Sequence, residues 1–240
     1  MYRKLDPASI NDTARRLASR VEERFPGRGL AGVAREVAEV CERGGRDAEW
    51  FGRPHWPIRL GVVAAALAFA VLLAAAIRTV RFRQELPALP DLVQAVEAIV
   101  NDFIFVGIAL YFLASLETRR KRRRALKALH ELRSMAHIID MHQLTKDPEW
   151  MRQPTTNTPS SPERPMTPFE LSRYLDYSSE LLSMLSKTAA LYVQNFADPV
   201  TVSAVNEVEN LTSGLSRKIW QKIMILDRSL PAEDGKTVRR

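Results

Sequence analysis

The chain has 240 residues, with 35 Lys and Arg against 28 Asp and Glu, a formal net charge of +7 and 46% hydrophobic residues. So apolar a composition excludes a disordered polyelectrolyte, and a single cysteine, Cys41, excludes an intrachain disulfide scaffold and suits a reducing cytoplasm. Arg far outnumbers Lys, a bias expected of a GC-rich bacterial genome.

Residues 1–52 read as N-terminal cytoplasmic amphipathic helices. Ile10, Ala14, Leu17, Val21 and Phe25 recur at three- and four-residue steps, and Pro26-Gly27 breaks the pattern. Leu30, Val33, Ala34, Val37 and Cys41 resume it, and Gly44-Gly45 is expected to end this second helix. So short a pair is too small to be stable alone and is expected to pack on other cytoplasmic helices or on the membrane. The Arg-rich start resembles a transit peptide in charge, but Asp6, Asp12, Glu22 and Glu23 argue against one.

Two apolar stretches follow. Leu60 to Ile77 carries no charge and is bracketed by Arg59 and Arg78. At 1.5 Å per residue it spans about 27 Å, close to the hydrocarbon thickness of a bilayer. It predicts a transmembrane helix over 57–79, with Trp50, Phe51, His55 and Trp56 as an interfacial aromatic anchor. Phe103 to Leu116 is also uncharged but too short alone, so the second transmembrane helix is extended to 92–118. That extension takes in Glu97, Asn101 and Asp102, of which Glu97 and Asp102 are candidate intramembrane polar residues. A short external loop over 80–91, turning at Leu86-Pro-Ala-Leu-Pro90, folds the spans into a hairpin and brings Arg78 near Asp102. Both flanks are richer in basic residues than the loop, so both termini are expected in the cytoplasm of a plasma or inner membrane.

The six-residue block Arg119, Arg120, Lys121, Arg122, Arg123 and Arg124 follows the second span. Without interleaved aromatics it points to anionic membrane lipid rather than nucleic acid. No proline or glycine interrupts residues 108–147, so the span is expected to continue as a basic juxtamembrane helix over 119–147 with the apolar seam Leu129, Leu132, Ala136 and Ile139. Six prolines over 148–168 mark a Pro-rich linker, assigned to 148–167. Thr167-Pro168-Phe169-Glu170 then starts a helix with an N-cap, a proline at the first helical position and a capping-box glutamate. Its coiled-coil-like seam gives Leu171, Leu175, Leu182, Leu185 and Tyr192 as candidate helix-pairing residues. Asp198-Pro199 caps a second helix with Val205, Val208, Leu215, Ile219, Ile223 and Leu226 on its apolar face and Gly214 inside it. Residues 168–230 therefore form a cytoplasmic helical hairpin, building a three- or four-helix bundle with the juxtamembrane rod, and 231–240 a disordered tail.

The chemistry-bearing residues are few. His130, His137 and His142 lie near Asp140, but His130 and His137 are about 10 Å apart along a helix and cannot share one ion. The string His130-Glu131-Leu132-Arg133-Ser134 resembles the phospho-accepting box of sensor histidine kinases. The resemblance implies His130 as the phosphorylated residue and Glu131 as its base. Met135 stands where that family has proline and Leu129 where it has a polar residue, and no glycine-rich ATP-binding box follows. A passive phosphorelay bundle is what the resemblance leaves. No nucleophile elbow and no phosphate-cradling glycine pattern occurs.

The sequence thus predicts an all-α membrane protein: a two-span transmembrane hairpin carrying a cytoplasmic helical bundle, with no enzyme activity, cofactor, metal or nucleic acid. It is expected to act as a membrane-tethered scaffold, adaptor or signal-relay component, as a homo-oligomer or with a protein partner. The alternative is an oligomeric two-span pore or membrane-perturbing effector.

Overall fold

A computed structural model describes residues 4–82, 89–148, 159–161 and 166–229. They are all-α, with no strand among the described residues: α1 (Pro7–Arg24), α2 (Gly29–Gly52), α3 (Trp56–Phe82), α4 (Leu89–Leu144), α5 (Pro168–Gln194) and α6 (Pro199–Ser229). The turn expected within 80–91 falls largely on residues 83–88, which lie outside the described residues, as do most of the Pro-rich linker and the whole of the C-terminal tail. The chain divides into two compact units, one of residues Met1–Gly52 and Ala125–Arg240 and one of Arg53–Arg124.

The first unit is a bundle around one apolar core. Helix α1 starts on Asp6, whose carboxylate accepts the backbone N–H groups of Ala8 and Ser9, and Pro7 occupies the first turn, where a missing N–H costs nothing. The break after it uses Gly27 at φ 69°, a left-handed conformation that favours glycine. Every apolar position read from α1 and α2 lies in the core. Both helices pack on α5, with the Phe25 ring edge-on to Tyr174 at 5.5 Å and Phe51 against Tyr192 at 5.6 Å. The N-terminal pair is therefore part of the main core, not a satellite of a smaller bundle.

Gly44-Gly45 does not end α2, which continues through both to Gly52. Their function is close approach. A Cβ on Gly44 would collide with Thr188 Cγ2, and one on Gly45 would sit 2.9 Å from Asn11 Nδ2. The glycines let α2 lie against α5 on one side and α1 on the other, and that packing outweighs their poor helix propensity. The extra turns carry Phe51 into the core, stacked on Phe196 at 5.7 Å, so it is no interfacial anchor.

From Ala125 onward α4 contributes Ala125, Leu129, Leu132, Met135, Ala136 and Ile139 to this core. Its end is held by neighbours. Tyr174 donates its hydroxyl to the His142 carbonyl at 3.2 Å, and Lys222 donates to Gln143 O at 2.9 Å and Oε1 at 2.6 Å. Helix α5 begins with the predicted capping box: Glu170 N–H donates to Thr167 Oγ1, and Thr167 N–H to Glu170 Oε2 at 2.8 Å. Helix α6 begins on Asp198, which accepts from the backbone N–H and hydroxyl of Thr201, each at 3.0 Å.

The second unit holds α3 and the first part of α4. Phe69 and Phe103 meet edge-to-face at 5.6 Å, and Arg59 pairs with Glu117. Its apolar residues face outward: Leu60, Leu67, Val71, Leu72, Phe105, Ile108 and Tyr111 each expose more than half of their surface. Both α3 and α4 are long and apolar enough to cross a membrane.

Candidate functional site

The best-built polar cluster lies where the start of α3 meets α4. Residues Arg53 to His55 separate α2 from α3, and the His55 carbonyl accepts the first intrahelical bond of α3, from Arg59 N–H at 3.2 Å. One turn pair of α4, Glu117 and Lys121 at i and i+4, faces this segment. Glu117 Oε1 accepts from Lys121 Nζ at 3.0 Å and, at a longer 3.4 Å, from the backbone N–H of His55, whose ring Nδ1 lies 3.9 Å away. Its Oε2 accepts from Arg59 Nε at 3.1 Å. Lys121 Nζ also donates to the carbonyl of Arg53 at 3.0 Å.

Burial separates these groups. The side chains of Glu117 and Lys121 are 14% and 9% exposed, whereas Arg59 is 57% exposed. An ion pair so enclosed is screened far less than a surface pair, and charge-assisted hydrogen bonds hold both of its ends. The charges also suit the helix ends, with a carboxylate at the amide-rich start of α3 and an ammonium at the carbonyl of the residue directly following α2.

The structure redistributes the predicted site residues. In the basic block, Lys121 is turned inward, contrary to its expected lipid-facing role, because Glu117 one turn earlier and the Arg53 carbonyl give its ammonium partners. Arg119, Arg120, Arg123 and Arg124 are exposed, Arg122 is half-buried, and the Arg119 guanidinium covers the Phe112 ring at 5.0 Å. Glu97 and Asp102 are exposed on α4, and among the described residues no ion pair joins Arg78 to Asp102; the charged link between α3 and α4 is Arg59 to Glu117 instead. Of the expected aromatic anchor, Trp56 faces outward at 72% exposure.

The helix-pairing seam is occupied within the chain. Leu171, Leu175, Leu182, Leu185 and Tyr192 are all core residues, exposed by 3% or less. The pattern read as a possible contact between chains closes on α1, α2 and α6. Thr188 donates to the sulfur of Cys41 at 3.1 Å in the same interior, and burial pushes the Cys41 thiol up. Burial likewise moves the Tyr174 phenol to about 12, keeping it a donor to His142.

The histidines do not converge. His130 and His137 are exposed and His142 is half-buried against Gly29, and no cluster of three metal-ligating side chains occurs among the described residues. Glu131, the base implied by the histidine-kinase resemblance, is ion-paired to Arg43.

Sequence reasoning misses Glu117, which follows the uncharged run Phe103 to Leu116 and falls inside the expected second span, 92–118. The available signal was its four-residue spacing from Lys121, which marks a helix-surface pair rather than an undifferentiated basic block. Comparison with protein-family models, curated proteins and solved structures finds no match to this chain.

Proposed function

We propose that this chain is a non-enzymatic integral membrane protein in which α3 and the first part of α4 cross the bilayer as a hairpin, and that it serves as a membrane-tethered scaffold or signal relay. The observation that carries the reading is α4 itself. It is one helix of 56 residues whose apolar side chains face outward up to Tyr111 and Phe112 and enter a protein core from Ala125 onward. Apolar surface of that extent is rare on a protein in water and is ordinary in lipid. A helix without proline, glycine break or cap between those regions provides continuity through which a displacement in the membrane reaches the bundle. Both termini lie on the cytoplasmic side in this reading, and Arg119, Arg120, Arg123 and Arg124 face anionic lipid there.

Because the Leu171 to Tyr192 seam is internal, partner recognition falls to the outer faces of the bundle. The direct test is gentle solubilisation of the full-length protein from its native membrane, followed by mass determination and identification of co-purifying proteins. A stoichiometric partner is the expected result, lost when a flexible Gly/Ser segment is inserted after Arg124. A partner-free protein indifferent to that insertion would sink the relay reading.

The outward-facing Glu97 and Asp102 favour a second reading, an oligomeric pore or membrane-perturbing effector, because ionisable groups in a span need water or partners from other copies. It requires a homogeneous oligomer whose expression depolarises membranes, an effect that Asp102→Asn abolishes.

A further inference from the structure

We propose that the Glu117–Lys121 pair is a register lock: it fixes the axial position of α4 against the joint between α2 and α3, and its release is the step that permits α4 to slide. The joint is short. Three residues, Arg53, Pro54 and His55, lie between the two helices, and two of their backbone groups, the Arg53 carbonyl and the His55 N–H, are engaged by this single pair on α4. Lys121 holds the carbonyl of Arg53; Glu117 holds the N–H of His55 and, through its other oxygen, Arg59 in the first turn of α3.

The geometry couples the contacts at the joint. A helix advances about 1.5 Å per residue, and signalling helices shift by about 1–2 Å. A slide of that size along α4 carries both members of the pair the same way and so displaces the 3.0 and 3.1 Å contacts together. The pair's polarity matters as much as its presence. The carboxylate faces an N-terminal helix end and an arginine, and the ammonium faces a carbonyl, so exchanging the two charges opposes these outside partners while preserving the attraction within the pair.

That last property provides the test. In the full-length protein in detergent or nanodiscs, hydrogen exchange is followed at the amides of His55, Trp56, Ile58 and Arg59, with the α5 core amides around Leu182 and Leu185 as the internal reference. Glu117→Gln and Lys121→Met are each expected to raise exchange at the joint about tenfold, the size of one lost charge-assisted hydrogen bond, and to leave the reference unchanged. The exchanged pair, E117K with K121E, is expected to open the joint further than either single variant. Recovery of wild-type protection in the exchanged pair would overturn the lock and reduce it to an ordinary i,i+4 ion pair. Single variants within twofold of wild type, or loss of protection at the reference amides as well, would overturn it too. The lock does not depend on membrane insertion, so its outcome and that of the partner experiment separate.

Discussion

The two units of this chain use the same element and opposite rules for its surface. In the bundle, apolar side chains such as Leu132, Ile139, Leu175 and Leu182 are fully enclosed, and charged residues such as Arg20, Glu180, Arg133 and Glu207 form pairs on the outside. In the unit of α3 and early α4, apolar residues cover the outside and the charged pair Glu117–Lys121 lies inward. Helix formation by itself therefore does not determine which face is apolar. On the proposed membrane reading the surrounding medium does: water excludes apolar surface from the outside of one unit, whereas lipid would remove that constraint from the other and make bare charge the expensive group.

The contrast can be broken most forcefully in the bundle core. Leu132→Ala is expected to destabilise it by about 2–5 kcal/mol through lost burial and a residual cavity, measured as a lowered denaturation midpoint. Ile108→Ala, which removes comparable apolar surface at a 62% exposed position, should leave that midpoint unchanged. Equal losses at the two sites would mean that α4 buries Ile108 in protein. The complementary substitution is Ile108→Arg, expected to weaken membrane integration by about 2.5–3.5 kcal/mol, the cost of arginine near the centre of a spanning helix. Carbonate extraction reads the result directly. If Ile108→Arg stays in the membrane fraction as firmly as wild type, Ile108 does not face lipid at the centre of a span; if wild type itself is extracted, the bilayer reading of the second unit fails.

Glycine makes the comparison within one unit. Gly44 is pressed against Thr188, whereas Gly214 in α6 has nothing within 4 Å of where a Cβ would stand. Gly44→Ala should destabilise by about 1–3 kcal/mol as an overpacked contact. Gly214→Ala should stabilise by about 1 kcal/mol, the propensity difference in a helix interior. Thermal melts of the two variants should move in opposite directions. A Gly44→Ala melt that does not fall would show that α2 and α5 separate readily enough to accept a methyl group.

These glycines also show where the sequence stopped being legible. Periodicity identified a central stripe of the apolar faces of α1, α2, α5 and α6, because burying one face of a helix imposes a 3.6-residue rhythm that local residues carry, but not the full width of those faces: Tyr174, Tyr177, Leu181 and Leu191 on α5 and Val40 and Ala48 on α2 are buried as well. The Thr167 capping box and the Asp198 cap were legible for the same reason: their partners lie three residues away. Gly44 and Gly45 were misread as a stop because the reason for them, Thr188 on one side and Asn11 on the other, is remote in sequence. The Leu171 to Tyr192 seam was visible, but what covers it was not, since a seam closed within a chain and one closed between chains need the same pattern. Lys121 was lost among five arginines, although Glu117 four residues before it carried the distinguishing signal.

The local caps supply the mildest test, and the direction of its pH dependence follows from their chemistry. Asp6 is held below its ordinary value by the Ser9 hydroxyl, then by the backbone N–H groups of Ser9 and Ala8. Glu170 is held below its own by the Thr167 backbone N–H and hydroxyl. A carboxylate with a lowered folded-state value binds fewer protons than its unfolded counterpart over that interval, so its contribution is complete above the unfolded values of 3.8 and 4.5 and is lost as pH falls through the folded ones. Protection of the Ser9 amide, held by Asp6, and of the Thr167 amide, held by Glu170, should accordingly hold at pH 5 and decline only below about pH 4, ahead of the core amides of α1 and α5. Both carboxylates lie on the bundle surface, so the effect is small and confined to first turns. In Asp6→Asn the decline at Ser9 should lose its pH dependence while Thr167 keeps its own. A variant that removed both together would show that the starts of α1 and α5 fray as one unit, and that helix ends in this bundle are set by tertiary packing rather than by the caps beside them.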